Sequence, residues 1–173
     1  MTVLDDLRQL EAKGFIQLAQ SEPEVEFIFR HALVQEAAYS SLLKSELRAL
    51  HLSIGETMER LYANNIQRCA PLLADHFDKG GDERQAVKYY TLAGDVALSQ
   101  FAIQEALEHY TRGLQISQQP QARLYIQRSR VLETLGRFDE ALADLAAARE
   151  AAQAINDRQC EVEALIELGK TWT

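Results

Sequence analysis

The pattern of apolar positions changes period near residue 30 and separates a short mixed segment from a long helical one. Residues 25–29 alternate with a period of two, which is typical of a half-buried strand. From His31 onward the apolar residues recur three and four positions apart, and this spacing continues along the rest of the sequence. The sequence therefore predicts a strand over residues 25–29 and helices from residue 31 onward.

The segment before this change is predicted to contain one helix and one β-hairpin. The helix covers residues 3–13, and Gly14 is its expected C-cap. Its apolar face is formed by Val3, Leu4, Leu7 and Leu10. Predicted strands over 15–19 and 25–29 are joined by a turn at 21–24. The order helix, strand, turn, strand is that of the back half of a winged helix.

Two helices are predicted to follow the hairpin, over residues 31–43 and 45–63. Ser45 is the expected N-cap of the second one. Apolar residues of this second helix recur at helical spacing, at Leu47, Leu50, Ile54, Met58 and Leu61. Together the two helices form a predicted connecting hairpin over 31–65.

From residue 66 onward, small and large apolar residues return in a recurrent order of spacings. The first instance consists of Leu73, Ala74, Phe77, Gly81, Ala86, Tyr90 and Ala93. Parts of it recur at Ala106, Tyr110 and Gly113, at Gly136, Ala141, Leu145 and Ala148, and at Leu168, Gly169 and Trp172. Small residues allow two helices to approach closely, so these units are expected to stack. Helix 82–99 is predicted to be the second helix of one unit and the first helix of the next.

This order of residues resembles the tetratricopeptide (TPR) repeat, which has a Leu-Gly or Leu-Ala pair, an aromatic residue, and then Gly, Ala, a bulky and a small residue. The resemblance covers residues 66–173, with the last repeat truncated, and implies a repeat surface that binds a protein partner. The predicted fold class is therefore mainly α. It comprises a winged-helix remnant (a helix plus a β-hairpin) over 1–30, the connecting hairpin over 31–65, and an α-helical TPR-like solenoid.

Charge and hydropathy argue against nucleic-acid and membrane partners. The net charge is −8, and the lysines and arginines are scattered singly, whereas a nucleic-acid surface usually carries a basic patch. The first predicted helix exposes Asp5, Asp6 and Glu11 where a DNA-reading helix needs basic or amide side chains. No segment approaches the about 20 apolar residues of a membrane span, and the acidic N-terminus does not resemble a signal peptide. We expect a cytoplasmic location.

The titratable residues form no pattern that is typical of an enzyme or a metal site. Cys69 and Cys160 lie far apart and are expected to be free thiols. No His or Cys stands three or four positions from the histidines after residue 31, which are His51, His76 and His109. The Gly-Lys-Thr at 169–171 lacks the Gly-rich loop of a phosphate-binding P-loop. We therefore predict that the chain is not an enzyme. Tyr89, Tyr90, Tyr110 and Tyr125 are spaced as repeat core or concave-face residues, with Tyr89 as the candidate for exposure.

Three stretches in the first third of the chain carry a second resemblance. They are LRQLEAKGFI at 7–16, FRHALVQEAAYSSL at 29–42 and LRALHLSIGETMERL at 47–61. In this order they are similar to the winged-helix end of the signal-transduction NTPases called STAND, which include large bacterial regulators. In the bacterial kind this block directly precedes tetratricopeptide repeats, as here, so the resemblance covers essentially the whole chain.

The resemblance implies a nucleotide-sensing role for His31. In that family, a histidine at this junction, within a Met-His-Asp type motif, contacts the β-phosphate of bound ADP. His31 matches it in position, whereas Ala32 stands where the motif has Asp. Such a contact is physically reasonable, because the N-terminus of a helix favours phosphate. The sequence contains no GxxxxGK[ST] motif, so ATP or ADP is expected only in a parent protein, and no cofactor is expected in this chain.

Two functions follow from these resemblances. The first is a non-catalytic regulatory segment of a STAND-type ATPase, whose winged-helix part couples to nucleotide state and packs on the NTPase domain of the parent protein. The alternative is a self-standing TPR adaptor that binds a peptide or a helix.

Overall fold

The computed structural model describes residues 2–22 and 25–171, with only the backbone of Thr171 described. Pro23 and Glu24 of the predicted turn, and Trp172 of the predicted last repeat, lie outside the described residues. The chain divides into two compact units, residues 1–47 and 48–173. The domain boundaries predicted at 30/31 and 65/66 stay predictions.

The first unit is a helix, a β-hairpin and a second helix. These are α1 (Val3–Ala12), β1 (Ile16–Gln20), β2 (Glu26–Phe29) and α2 (Ala32–Ser40). The order and type of these elements agree with the sequence prediction, and α2 is shorter than the expected helix over 31–43. Thr2 and Asp5 form a capping box at the start of α1. Gly14 follows the end of α1 with a φ of 78°, a left-handed conformation that favours glycine.

The hairpin is antiparallel, and it contributes little core. Ile16 pairs with Phe29, and Leu18 pairs with Phe27, with an irregularity between Leu18 and Gln20. The hairpin is extended by a hydrogen bond from the Arg30 amide to the Phe15 carbonyl at 3.0 Å. Among the described residues of this unit, Ile16 is the one hydrophobic residue that is fully buried.

Helix α3 (Lys44–Leu61) begins one residue earlier than predicted. The prediction that Ser45 is its N-cap is wrong, because Ser45 lies inside the first turn. The carboxylate of Glu46 instead accepts a hydrogen bond from the Leu43 amide at 2.8 Å. This contact satisfies one of the donors that a helix N-terminus leaves unpaired. A short 3₁₀ helix, Ala63–Asn65, follows α3.

Within the described residues, the second unit continues as six further helices. They are α4 (Ile66–Gly80), α5 (Glu83–Ser99), α6 (Ile103–Ile116), α7 (Ala122–Thr134), α8 (Phe138–Ala154) and α9 (Arg158–Thr171). Each helix packs against the next one in sequence. The described part of the chain is therefore mainly helical, with one small two-stranded sheet, as the sequence predicted.

Four of the connections between these helices share one backbone geometry. Each contains a residue with positive φ, and these residues are Gly81, Phe101, Gly136 and Asn156. In each, the next amide donates to the carbonyl five residues earlier at 2.9 Å, as Asp82 does to Phe77. This pattern is the Schellman termination of a helix. The connection from α6 to α7 differs, since Ser117 ends α6 with an extended backbone.

The helical array buries three apolar clusters along its length, and α5 belongs to two of them. Tyr89 and Tyr90 lie in the cluster with α4, whereas Val87 and Ala97 lie in the cluster with α6 and α7. This agrees with the predicted double role of helix 82–99. The third cluster joins α7, α8 and α9 through small residues such as Ala148 and Ala164.

Candidate interaction surface

His31 lies at the junction between β2 and α2, as the sequence predicted. It is the residue immediately before the first helical residue, with φ −136° and ψ 128°, and its side chain makes no capping hydrogen bond. Its carbonyl accepts the Val34 amide at 3.0 Å. The side chain is exposed, so the imidazole is accessible from outside this unit.

The second unit connects its helices through polar contacts above the apolar clusters. The Nδ1 atoms of His51 on α3 and His76 on α4 lie 2.9 Å apart. His51 is 8% exposed. Burial, with a further contribution from the neighbouring His51, lowers the pKa of His76. The neutral form of His76 is therefore favoured, and one ring can donate to the other.

Tyr89 connects α5 to α3. The expectation that Tyr89 is exposed is wrong, because it is 1% exposed and its ring stacks on Phe77 at 5.6 Å. Its hydroxyl donates a short hydrogen bond to Glu59, which also accepts a bond from the Lys88 ammonium at 2.9 Å. The hydrogen bonds from Tyr89 and then Lys88 lower the pKa of Glu59. Glu59 therefore stays ionised, and it compensates the charge of Lys88.

Two further tyrosines are tied to carboxylates across helix interfaces. The Tyr90 hydroxyl donates to Asp78 at 3.2 Å, and Asp78 also binds the Arg112 guanidinium at 2.7 Å. The Tyr110 hydroxyl donates to Asp95 at 2.7 Å. Burial, and then the hydrogen bond to Asp95, raises the pKa of Tyr110, so Tyr110 remains protonated. These contacts are structural, and they fix α4, α5 and α6 to one another.

Ion pairs perform the same task at the far end of the array. Arg128 on α7 makes a two-pronged contact with Asp144 on α8, at 2.7 and 2.6 Å. Arg130 on α7 binds Glu163 and Glu167 on α9 at 2.8 and 2.7 Å. Asp144, Glu163 and Glu167 are consequently paired with arginines of the array itself.

One cavity, which we name the α6–α8 cavity, has a volume of about 470 Å³ and is lined by residues of α6, α7 and α8. Its apolar lining is Leu107 and Leu132, both buried. Each guanidinium in its wall already has a carboxylate partner: Arg112 pairs with Asp78, Arg128 with Asp144 and Arg137 with Glu140. This cavity therefore offers no unpaired guanidinium to a ligand.

A second cavity, which we name the α5–α7 cavity, has a volume of about 620 Å³. Its walls are α5, α7 and the 117–121 connection, and its apolar lining includes the buried Val87 and Leu124. The volume lies within the range of about 300–1,000 Å³ that is typical of ligand clefts. Arg84, Lys88 and Arg123 stand on its walls.

Some charged groups of the α5–α7 cavity have partners within the chain, and others do not. The only acidic residue in its lining, Glu83, accepts hydrogen bonds from the Gln118 amide at 2.6 Å and the Ser117 hydroxyl at 3.3 Å, which fixes the 117–121 connection. Lys88 is paired with Glu59. Arg84 and Arg123 are exposed, and neither forms an ion pair with a carboxylate within residues 2–22 and 25–171.

Neither arginine was predicted from the sequence. Arg84 and Lys88 are four residues apart, so their shared helix face was a usable signal. Arg123 is 35 residues further along, and its place on the same cavity depends on how α7 packs behind α6. Sequence periodicity does not contain that information.

Within the described residues, no helix has the length and apolarity needed to cross a bilayer, and no group of three or more His, Cys, Asp or Glu residues is placed to hold a metal ion. Both cysteines are free thiols: Cys69 is half-buried and Cys160 is buried. Burial, and then a hydrogen bond to Asp157, raises the pKa of Cys160, which disfavours the reactive thiolate.

No protein-family description matches the chain, and no curated protein matches it. Among solved structures it is similar to the TPR domain of Arabidopsis OM64, with 20% sequence identity and a TM-score of 0.47. The alignment covers 74% of this chain and 98% of that domain.

Proposed function

We propose that the chain is a non-catalytic protein-interaction segment in which helical repeats of the tetratricopeptide type, over 66–173, bind a protein partner. The observation that carries the proposal is the α5–α7 cavity. Two helices that are not neighbours in sequence present a cleft with a buried apolar lining and an accessible polar wall. Clefts of this composition are typical of sites that hold side chains of a partner.

The TPR type of the repeats is supported by where the small residues lie. Gly94 on α5 faces the ring of Tyr110 on α6, and Ala86 and Ala106 are completely buried at the equivalent place on successive helices. Close approach of helices at small residues leaves the long polar side chains for the surface. We propose a cytoplasmic location and a protein partner, without a nucleic-acid or membrane partner, on the net charge of −8.

A peptide-display selection on the purified chain tests the proposal. We expect it to yield peptides that bind saturably and with one-to-one stoichiometry in solution. Binding should be lost in Leu124→Asp, which places a charge in the apolar lining, and kept in Leu72→Asp, because Leu72 is exposed on α4 and does not line this cavity. If repeated selections give no saturable binder, the interaction function is refuted.

We propose the STAND-type regulatory segment as a second candidate, on one specific observation. The first unit exposes large hydrophobic residues on each of its described elements, among them Val3, Leu18, Phe29, Leu33 and Tyr39. Exposed apolar groups in this density are typical of a surface that another domain covers. The NTPase domain of a parent protein, with bound ATP or ADP, is the proposed covering partner.

In this second proposal, His31 contacts the β-phosphate of ADP held by the NTPase domain. A hydrogen bond to a charged group contributes about 1.5–3 kcal/mol. Loss of about 2 kcal/mol shifts a closed-to-open equilibrium about 30-fold. The test restores an upstream NTPase domain and measures the ADP that co-purifies with the protein. We expect His31→Ala to release ADP and Gln35→Ala, an exposed change on the same helix, to retain it. Equal retention by both variants would remove His31 from the sensor role.

A further inference from the structure

We propose that the α5–α7 cavity binds an internal acidic–apolar segment of a partner protein, in which an apolar side chain lies between two carboxylates. The inference rests on the proposed interaction function and specifies the partner's chemistry at that same site. Arg84 and Arg123 receive the carboxylates, and the lining formed by Val87 and Leu124 receives the apolar side chain.

The choice of an acidic partner follows from the pairing of charges in the array. The chain carries 26 acidic and 18 basic residues, so a guanidinium within the array has many possible carboxylate partners. The arginines of the α6–α8 cavity all use them. Arg84 and Arg123 do not, although they stand on different helices and face one cavity. Two unpaired guanidiniums beside a common cleft match two carboxylates, since such pairs make charge-assisted, often bidentate hydrogen bonds.

The engaged groups of the cavity strengthen this choice. The Glu83 carboxylate is turned to the 117–121 connection, where it holds the Gln118 amide, so its bonds stabilise the wall of the cavity. Partial burial by itself lowers the pKa of Lys88, but hydrogen bonds to Glu59 and then Tyr89 outweigh it and raise the pKa. Lys88 is thus a fixed positive charge, already compensated, and it leaves the two arginines as the binding groups.

The shape of the cavity favours a peptide over a nucleic acid. In an extended segment, alternate side chains point to the same side, so carboxylates at positions i and i+4 and an apolar group at i+2 can together reach a cleft that has polar walls and a buried apolar lining. A nucleic acid needs a longer run of cations to offset repulsion by a net charge of −8. Two guanidiniums do not provide it, and the buried Val87 and Leu124 would have no partner on a phosphate backbone.

The experiment measures binding of a short fluorescent peptide with aspartate and leucine in turn at every second position and serine between them, and with both ends blocked so that only side chains carry carboxylates. We expect saturable binding that weakens with added salt. Replacing every aspartate by asparagine should weaken it about tenfold or more, as should Arg84→Gln or Arg123→Gln, because each removes a hydrogen bond between charged groups. Arg149→Gln is the matched control, since Arg149 is exposed on α8 and does not line the cavity.

A charge-reversed variant keeps the test decisive if single substitutions have small effects. Arg84→Glu combined with Arg123→Glu should prefer the same peptide with lysine in place of each aspartate, with circular dichroism confirming an unchanged helix content. The inference is overturned if the selected peptides are not acidic, if both arginine variants bind them as well as the unaltered chain does, or if only a free C-terminal carboxylate supports binding. It is also overturned if an oligonucleotide of equal charge binds as tightly. The absence of any selected peptide would instead refute the interaction function itself.

Discussion

At Gly94, α5 and α6 pack so closely that no space is left for a side chain on α5. A methyl group built at this position would have three ring atoms of Tyr110 within 2.7 Å. Tyr110 is completely buried and its hydroxyl is held by Asp95, so the ring has little room to move. The identity of residue 94 is therefore fixed by the neighbouring helix, and not by the needs of α5, in which glycine is a weak helix former.

We expect Gly94→Ala to destabilise the array by about 1–3 kcal/mol or more, because overpacking forces the ring or the helix to shift. Chemical denaturation measures the free energy of unfolding. Gly169→Ala is the matched control, because nothing lies within 4 Å of a methyl group there. It should be neutral, or stabilising by up to about 1 kcal/mol through helix propensity. Equal effects of the two changes would contradict the packing argument.

Phe101 shows the opposite situation, a large residue where glycine would fit better. It has a φ of 59° and its side chain is 87% exposed. The left-handed conformation costs a residue with a Cβ about 1–2 kcal/mol, and almost no burial offsets that cost. Phe101→Gly is expected to raise the free energy of unfolding by about 0.5–1 kcal/mol, after the extra entropy of glycine in the unfolded chain is subtracted. A decrease would indicate that the phenylalanine makes a stabilising contact.

His76 makes the stability of the array depend on pH. Its folded pKa is lowered below the ordinary value of 6.5 by burial and by His51. The unfolded chain therefore binds a proton first as the pH falls. Stability is fully present above about pH 6.5 and decreases as the pH falls from there towards the folded pKa. We expect His76→Asn to flatten this slope in urea unfolding measured across that range. Part of the slope should remain, because burial also lowers the pKa of His109.

At the scale of elements, the contact between Arg128 and Asp144 joins α7 to α8 where little water enters. The Asp144 side chain is 6% exposed, and both of its oxygens accept from the guanidinium. This hydrogen bonding, against the opposing effect of burial, raises the pKa of Arg128. A buried pair of this kind costs desolvation to form, but removal of one partner leaves a buried charge without compensation.

Arg128→Met should therefore destabilise the chain by about 3–5 kcal/mol, and adding Asp144→Leu should restore most of the loss. Thermal or urea unfolding of the two variants measures the difference. The surface pair of Arg137 and Glu140 is the control: Arg137→Met should change stability by about 1 kcal/mol at most, since both side chains are largely exposed. A double variant no better than Arg128→Met would show that the pair contributes more than charge compensation.

The elements themselves could mostly be predicted from the sequence, because helix and strand periodicities are local. The misses have different causes. Ser45 was a reasonable N-cap by type, but Glu46 reaches back to the Leu43 amide and starts α3 earlier. Tyr89 was the candidate for exposure, yet Glu59 on α3, 30 residues earlier, accepts a hydrogen bond from its hydroxyl and allows its burial.

The candidate site was less predictable than the elements. The place of His31 at the start of a helix follows from the change of period, since both neighbouring elements are local. The α5–α7 cavity combines α5 with residues about 35 positions away. Whether an arginine of this cavity is paired depends on which carboxylates the fold places near it. The sequence contains Arg84 and Arg123, but it does not show which residues lie next to them in the folded chain.

The whole molecule consists of two units with very different cores. The described part of residues 1–47 buries Ile16 as its only fully buried hydrophobic residue, whereas the second unit buries three clusters. Apolar burial is the dominant stabilising contribution to folding. The two units are therefore expected to open with different free energies.

Hydrogen exchange on the intact chain tests this expectation. Amides of α1, the hairpin and α2 should exchange at least about tenfold faster than those of α5 and α7, because regions with few buried contacts open locally. A chain in which both units exchange at one common rate would contradict it. If an added NTPase domain slows exchange in the first unit alone, that result would support the proposed covering of its apolar surface.

The double membership of α5 also has a mechanical consequence. Because α5 supplies Tyr89 and Tyr90 to one cluster and Val87 and Ala97 to the next, no clean break is available on either side of it. A pulling force applied along the chain would load α5 from both sides, because α4 and α6 both pack against it. The array should thus not separate cleanly at α5, which transmits the load from one cluster to the next.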